Sequence, residues 1–235
     1  MEGGIFMEDN NLLLRLEDLV NNPTARVPVC LCLDTSGSMY GDAIDELNEG
    51  VKLFYDAIKE DETALYAAEV SIITFGGEVK CIEDFANVER QTNIPELYAN
   101  GGTPMGEAVN LALDLLEKRK TEYKDKGVDY YQPWLVLMTD GQPNGSNIEL
   151  KEAIRNTNEL VNNRKLTVFP IAIGDYADID VLKSFSPKRQ PLKLKGLMFR
   201  EFFQWLSKSV STTSQSTPGE AIPLDVEGIK GWAEL

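Results

Sequence analysis

The strongest constraint on the fold is the stretch from Val27 to Met39, VPVCLCLDTSGSM, in which an unbroken apolar run leads directly into a polar turn. Apolar residues without polar alternation are typical of a strand that is covered on both faces within a mostly parallel sheet. Sheets of this kind bind ligands at the carboxyl ends of their strands. The sequence therefore predicts a central strand that ends, at Asp34, in a binding site.

The turn that follows this strand is rich in oxygen donors. Asp34, Ser36 and Ser38 place one carboxylate and two hydroxyl groups at alternate positions, and Gly37 allows the chain to bend tightly between them. Hard oxygen donors suit magnesium, manganese or calcium ions. We therefore predict a divalent cation site at this turn.

Three other interpretations of the same turn are weaker. A helix cap needs one Ser or Asp side chain, whereas the turn offers three such residues. An EF-hand loop that began at Asp34 would need Gly and Glu where the chain has Met39 and Asp45. A phosphatase-type nucleophilic loop would need a second acid at the position of Ser36. A metal site explains the turn better than any of these.

The composition excludes several classes of function. The 235 residues carry a net charge of -15, which would repel nucleic acid and anionic membrane surfaces unless a local basic patch intervened, so we expect neither as a partner. No apolar run is long enough to span a bilayer, and acids stand where a signal peptide has a basic segment, so we expect a cytoplasmic protein.

The complete absence of His excludes Ser-His-Asp and Cys-His catalysis. Any hydrolase would need metal-activated water, or a Lys or carboxylate base.

The three cysteines do not suggest a disulfide or a zinc site. Cys30 and Cys32 lie on the same face of one predicted strand, where geometry disfavours a bridge between them, and no His is present to complete a common zinc set. We interpret both residues as small buried hydrophobes.

Strand-like and helix-like segments alternate along the chain. This pattern predicts an α/β fold with a doubly wound, mostly parallel sheet, one antiparallel edge strand and helices on both faces. We expect an N-terminal extension (1–26) packed on the domain, a main domain (27–211) and a C-terminal tail (212–235) that is either docked or disordered. Predicted helices cover residues 12–19, 42–58, 104–123, 148–161, 179–185 and 197–210; predicted strands cover 27–33, 70–75, 79–82, 134–139, 166–173 and 192–194.

Two further segments carry residues that could reach the same cation. Thr103, in the sequence Gly-Gly-Thr-Pro, is predicted to cap the following helix, and its oxygen has a second lone pair that could face a metal. Asp140 follows the apolar strand at 134–139 and repeats the arrangement of Asp34. A plain cap and a plain turn residue are the alternatives, but the recurrence of a strand followed by Asp favours one shared site.

Together, Asp34-x-Ser36-x-Ser38, Thr103 and Asp140-Gly141 resemble a von Willebrand factor type A domain with a metal-ion-dependent adhesion site. Within that family the chain is similar to bacterial cytoplasmic proteins of the TerY/YegL kind, which are associated with tellurite resistance, through GGTPMG, YYQPWLVLMTDG and RQPLKLKGLMFREFFQWLS. One departure is Asn144, where many relatives carry another acid.

The resemblance implies a non-enzymatic module that captures an Asp or Glu of a partner protein through one bound divalent cation. That ion would be Mg²⁺ in the first place, with Mn²⁺ or Ca²⁺ as alternatives. Ser36, Ser38 and Thr103 would contact it, and Asp34 and Asp140 would hold its water shell. A metal-dependent hydrolase that uses the same cation is the alternative function, and a stress-response or tellurite-resistance assembly is the expected setting.

Overall fold

The computed structural model describes residues 17–91, 93–219 and 226–234. Its centre is a seven-stranded sheet whose strands are β1 (Val27–Asp34), β2 (Ala68–Gly76), β3 (Glu78–Asn87), β4 (Trp134–Thr139), β5 (Thr167–Ala172), β6 (Leu192–Leu194) and β7 (Ala233–Glu234). Their order in the sheet is β3-β2-β1-β4-β5-β6-β7. The order reverses between β1 and β4, which are hydrogen-bonded neighbours, so the sheet has its topological switch point there.

Helices cover both faces of this sheet. They are α1 (Asp42–Glu60), α2 (Glu62–Ala67), α3 (Met105–Lys126), α4 (Asn147–Asn162), α5 (Ile179–Ser184), α6 (Phe199–Ser214) and α7 (Val226–Ile229). Apolar residues of α1, α2 and α6 form one core cluster with the sheet, and those of α3, α4 and α5 form a second cluster on the opposite face. No helix in the described ranges is both long and apolar enough to span a bilayer.

Strand β1 belongs to both core clusters, as its unbroken apolar run predicts. Val29 and Leu31 face the α1 and α6 side, whereas Cys30 and Cys32 face the α3 side. All eight residues of β1 are buried. Both cysteines are free thiols, and burial raises their pKa well above the usual value, in agreement with their interpretation as small hydrophobes.

The predicted fold class is confirmed. Strands β1, β2, β4, β5 and β6 are parallel, and β3 pairs antiparallel with β2 at one edge. Strand β7 adds a second antiparallel neighbour, beside β6, at the other edge. The sequence did not predict this strand, because two residues are too few to show a periodic pattern.

Described residues on both sides of the predicted main domain include buried side chains. Residues 17–21 are helical, whereas residues 12–16 of the predicted first helix lie outside the described ranges. Asp18 and Leu19 are buried. At the other end, α6 continues past residue 211 to Ser214, and Trp232 is only 3% exposed, with its ring against Phe202 and Trp205.

Candidate metal centre

Asp34 is the buried acid at the carboxyl end of β1. Its Oδ1 atom accepts a hydrogen bond from the backbone N–H of Ser36 at 2.8 Å, and its Oδ2 atom accepts one from the Thr139 hydroxyl at 2.5 Å. Burial raises the pKa of Asp34 to about 6; the hydrogen bonds from Thr139 and Ser36 oppose this shift, and the charge of Asp140 adds to it. The site therefore holds a carboxylate that is poorly solvated when it is ionised.

A chain of hydroxyl contacts connects this turn to Asp140. The Oγ atoms of Ser36 and Ser38 lie 3.1 Å apart, and Ser38 Oγ donates to Asp140 Oδ1 at 2.8 Å. Asp140 directly follows β4, the neighbour of β1, and partial burial raises its pKa as well. The strand ends on either side of the switch point thus bring four of the five predicted donors into one hydrogen-bonded group.

Thr103 approaches the same edge of the sheet, but it is not a helix cap. The N-cap position of α3 is Pro104, without a side-chain capping bond, and the helix begins at Met105. The prediction failed because Pro104 lies one residue before the helix instead of at its first position. A β-carbon on Gly141 would lie 3.9 Å from Thr103 Oγ1, so this hydroxyl adjoins the turn after Asp140.

Asn144 fixes the backbone of Thr103. Its Oδ1 atom accepts a hydrogen bond from the Thr103 N–H at 2.7 Å, and its own N–H donates to the Thr103 carbonyl at 3.1 Å. Asn144 therefore joins the Thr103 loop to the loop after β4. An amide can do this without adding a third negative charge to the site.

Glycines allow two further loops to meet behind the site. The Gly77 N–H donates to the Gly102 carbonyl at 2.8 Å, and the Gly37 N–H donates to the Gly101 carbonyl at 2.9 Å. Gly101 has a φ angle of 67°, and a β-carbon there would lie only 2.5 Å from the Cα atom of Gly77. Only glycine gives both this backbone conformation and this close approach.

Thr139 is a residue of the site that was not predicted from the sequence. This residue is fully buried, binds Asp34 and also accepts a 3.3 Å hydrogen bond from the Gly141 N–H. The available signal was its place as the last residue of β4, at the strand end where ligands bind. Many core strands are apolar runs that end in Thr, so this position alone only weakly indicates a residue of a binding site.

The donor set fits a hard divalent cation. Among the described residues, the buried Asp34 carboxylate contacts only neutral donors and no basic side chain, so its charge is not compensated there. Two carboxylates and three hydroxyl groups would supply oxygen ligands and neutralise a divalent ion. Across the described ranges, no three His, Cys, Asp or Glu residues gather into a denser metal cluster. The role of the five residues as ligands stays a prediction.

Comparison with known proteins agrees with this architecture. The chain is 24% identical over 197 residues to an uncharacterized protein of Synechocystis, covering 81% of this chain but 43% of that protein. A von Willebrand factor type A structure from Catenulispora acidiphila superposes with a TM-score of 0.64 at 16% identity, over 80% of this chain and 43% of that one.

A second structural neighbour was solved with a metal. The manganese-loaded TRAP protein of Plasmodium vivax has a TM-score of 0.51 at 18% identity, over 76% of this chain and 73% of that one. The model of the von Willebrand factor type A domain matches residues 29–200, which is most of the chain. The chain therefore belongs to the von Willebrand factor type A domain family.

Proposed function

We propose that this chain is a non-enzymatic binding domain that captures a carboxylate of a partner protein through a divalent cation. Asp34, Ser36, Ser38, Thr103 and Asp140 would hold the ion, which we expect to be Mg²⁺. The observation that carries the proposal is the buried Asp34 carboxylate, which lacks a compensating basic group among the described residues and is joined through hydroxyl groups to Asp140.

The charge of the chain supports a binding mode that depends on the metal. With a net charge of -15, the domain repels an acidic partner at long range. A divalent ion held by two carboxylates is locally neutral and can still accept an outside oxygen as a ligand. Binding of an Asp or Glu from the partner should therefore disappear when the ion is removed.

A metal-dependent hydrolase is the alternative use of the same cation. Such an enzyme needs a base to take the proton from the attacking water. The chain contains no His, and the described residues bring no third carboxylate to Asp34 and Asp140. These observations favour binding over catalysis. A screen of phosphoester and peptide substrates with and without Mg²⁺ tests this part of the proposal, and metal-dependent turnover would contradict it.

The setting that we propose is a stress-response or tellurite-resistance assembly in the bacterial cytoplasm. It is inferred from the sequence similarity to the TerY/YegL kind of protein. Because the chain spans less than half of the Synechocystis relative, the activity of any longer protein is part of the same proposal.

The decisive experiment compares Asp34→Ala with Asp114→Ala, which removes an exposed carboxylate from α3 and serves as the matched control. Calorimetry should show one Mg²⁺ or Mn²⁺ bound by the parent and by Asp114→Ala, and none by Asp34→Ala. Pull-downs from a bacterial lysate should recover the same partner with the parent and the control, and lose it with Asp34→Ala or EDTA. Equal metal binding by all three proteins would overturn the proposal.

A further inference from the structure

A second concave site lies at the end of the sheet opposite the metal centre. It is a cavity of about 600 Å³ near the first residues of β4 and β5, and Trp134 and Tyr130 contribute to its wall. A strand of six residues spans roughly 20 Å, so β4 separates the cavity from Asp140 by about that distance. The volume lies in the range of small-molecule sites.

The wall of this cavity is basic, although the protein as a whole is strongly acidic. It contains five basic side chains and one carboxylate: Lys120, Lys124, Arg164, Lys165, Arg189 and Glu117. Glu117 is already paired with Lys120. Within the described part of the chain, no ion pair involves the side chains of Lys124, Arg164 or Lys165. A cluster of uncompensated positive charge in a concave site attracts anions and is strengthened by its low-dielectric walls.

Arg164 occupies a backbone position that would suit glycine better. It follows α4 with a φ angle of 56°, the only non-glycine residue with a positive φ among those described. The N–H of Lys165 donates to the Leu160 carbonyl at 2.8 Å, which closes the helix in the manner of a C-terminal glycine motif. Glycine would avoid the strain of this conformation, so the backbone conformation does not explain why an arginine occupies this position.

Arg189 supplies a partly desolvated charge on another wall of the cavity. Its guanidinium carbon lies 5.1 Å from the centre of the Phe169 ring, which holds the side chain by a cation–π contact. Partial burial lowers the pKa of this guanidinium, and no neighbouring carboxylate offsets the shift. Two planar guanidinium groups and two lysines are the groups that bind phosphate oxygens well.

From this placement we infer a binding site for a small molecule that carries two or more phosphate groups. Four positive groups that are not paired with Glu117 exceed what one phosphate needs, and a cavity of about 600 Å³ favours a small ligand over an extended peptide. The inference is independent of the metal centre at the other end of the sheet. It concerns binding alone and includes no chemical step.

The test is calorimetry of the whole chain with inorganic phosphate, pyrophosphate, ATP and an acidic peptide, in EDTA and at low ionic strength. EDTA prevents the phosphates from binding through a cation at the other site. Pyrophosphate and ATP should bind more tightly than phosphate, and their affinity should fall as salt is added. Asp140→Ala should bind them as the parent does, since it changes only the metal centre.

Arg164→Gly is the diagnostic variant because it removes a charge while it relaxes the backbone. It should fold with at least the stability of the parent and bind pyrophosphate about tenfold more weakly, the usual effect of losing one charged hydrogen bond. Lys124→Gln should weaken binding similarly. Arg155→Gln, on the exposed face of α4, is the matched control and should leave affinity unchanged.

Several results would overturn the inference. One is the absence of binding by both pyrophosphate and ATP, and another is equal affinity for phosphate and pyrophosphate. A third is that Arg164→Gly and Lys124→Gln bind like Arg155→Gln. Tight binding of the acidic peptide with no binding of the phosphates would assign the cavity to a protein partner instead.

Discussion

At the scale of single residues, Asp34 is buried, and no basic side chain among the described residues neutralises its negative charge. Hydrogen bonds from Ser36 and Thr139 stabilise the ionised form, but burial outweighs them and raises the pKa to about 6. Without a cation, the folded protein therefore holds the Asp34 proton more tightly than the unfolded chain does. A bound divalent ion would reverse this preference, because it favours the ionised carboxylate.

This shift predicts how stability depends on pH. The pKa of Asp34 is raised above its unfolded value, so in EDTA the contribution of Asp34 is fully present below about pH 4 and is lost as the pH rises through about 6. The loss amounts to about 3 kcal/mol at neutral pH. Mg²⁺ should raise the melting temperature more at about pH 7.5 than at about pH 5.

Asp34→Asn provides the control for this prediction. The melting temperature of this variant in EDTA should depend less strongly on pH than that of the parent. Some dependence should remain, because the pKa of Asp140 is raised too. A pH profile identical to that of the parent would contradict the assignment of the effect to Asp34.

Thr103→Val tests the hydroxyl group that adjoins Asp140. Valine has nearly the same shape and keeps the backbone bonds to Asn144, and no helix cap is lost, so the free energy of unfolding should change by less than about 1 kcal/mol. If the hydroxyl is a metal ligand, calorimetry should show Mg²⁺ binding about tenfold more weakly. Unchanged affinity would remove Thr103 from the ligand set.

At the scale of elements, the metal centre depends on loops that approach one another through glycine. The loop between β2 and β3 and the loop before α3 are in contact at Gly77 and Gly101, behind the turn that carries Ser36. This contact fixes the loop of Thr103 relative to the end of β1. Two residues that carry no side chain therefore contribute, together with Asn144, to the position of a predicted ligand.

Gly101→Ala should be much more damaging than Gly127→Ala. Both glycines have a φ angle of 67°, but a β-carbon at residue 127 would meet nothing within 4 Å. Alanine at 127 should cost about 1 kcal/mol of stability from backbone strain alone. Alanine at 101 should cost about 2 kcal/mol more, because the two loops must separate. Urea unfolding measures the difference, and equal costs would contradict the close contact.

At the scale of the whole molecule, a buried ionic cluster joins segments that are distant in sequence. Glu69 on β2 accepts hydrogen bonds from Arg26, Arg119 and the hydroxyl of Tyr123, and Arg26 also binds Asp18. The cluster therefore connects the N-terminal segment, the sheet and α3. The charged groups of Glu69, Arg26 and Arg119 are almost completely removed from solvent. Each charge is therefore stabilised by the opposite charges of the cluster and not by water.

Glu69→Gln should destabilise the fold by about 3 to 5 kcal/mol, because it leaves two buried arginines without their shared carboxylate. Glu78→Gln removes a carboxylate whose side chain is 76% exposed and should change stability by less than about 0.5 kcal/mol. Urea denaturation of both variants and the parent gives the comparison. A cost below about 1 kcal/mol for Glu69→Gln would show that the cluster contributes little to stability.

Local patterns in the sequence are enough to predict the fold class and the β4 strand at residues 134–139, because a long apolar run and its flanking turns are local signals. The three-residue strand β6 also has the bounds that were predicted for it. The same patterns predict that Asp34 and Asp140 lie at one edge of the sheet. Strands that are connected by helical crossovers run parallel, so their carboxyl ends lie on the same side. Both positions follow from periodicity and connection rules that need no tertiary contact.

The neighbours of these residues follow only from the way in which distant parts of the chain fold together. Thr139 as the partner of Asp34, Asn144 as the partner of Thr103 and the pairing of β7 with β6 involve contacts between segments that no local pattern relates. The loop before α3, which begins after Pro104, likewise forms hydrogen bonds to Gly77 and Asn144. Propensity and capping preferences are worth about 1 kcal/mol, so packing between distant segments overrides them.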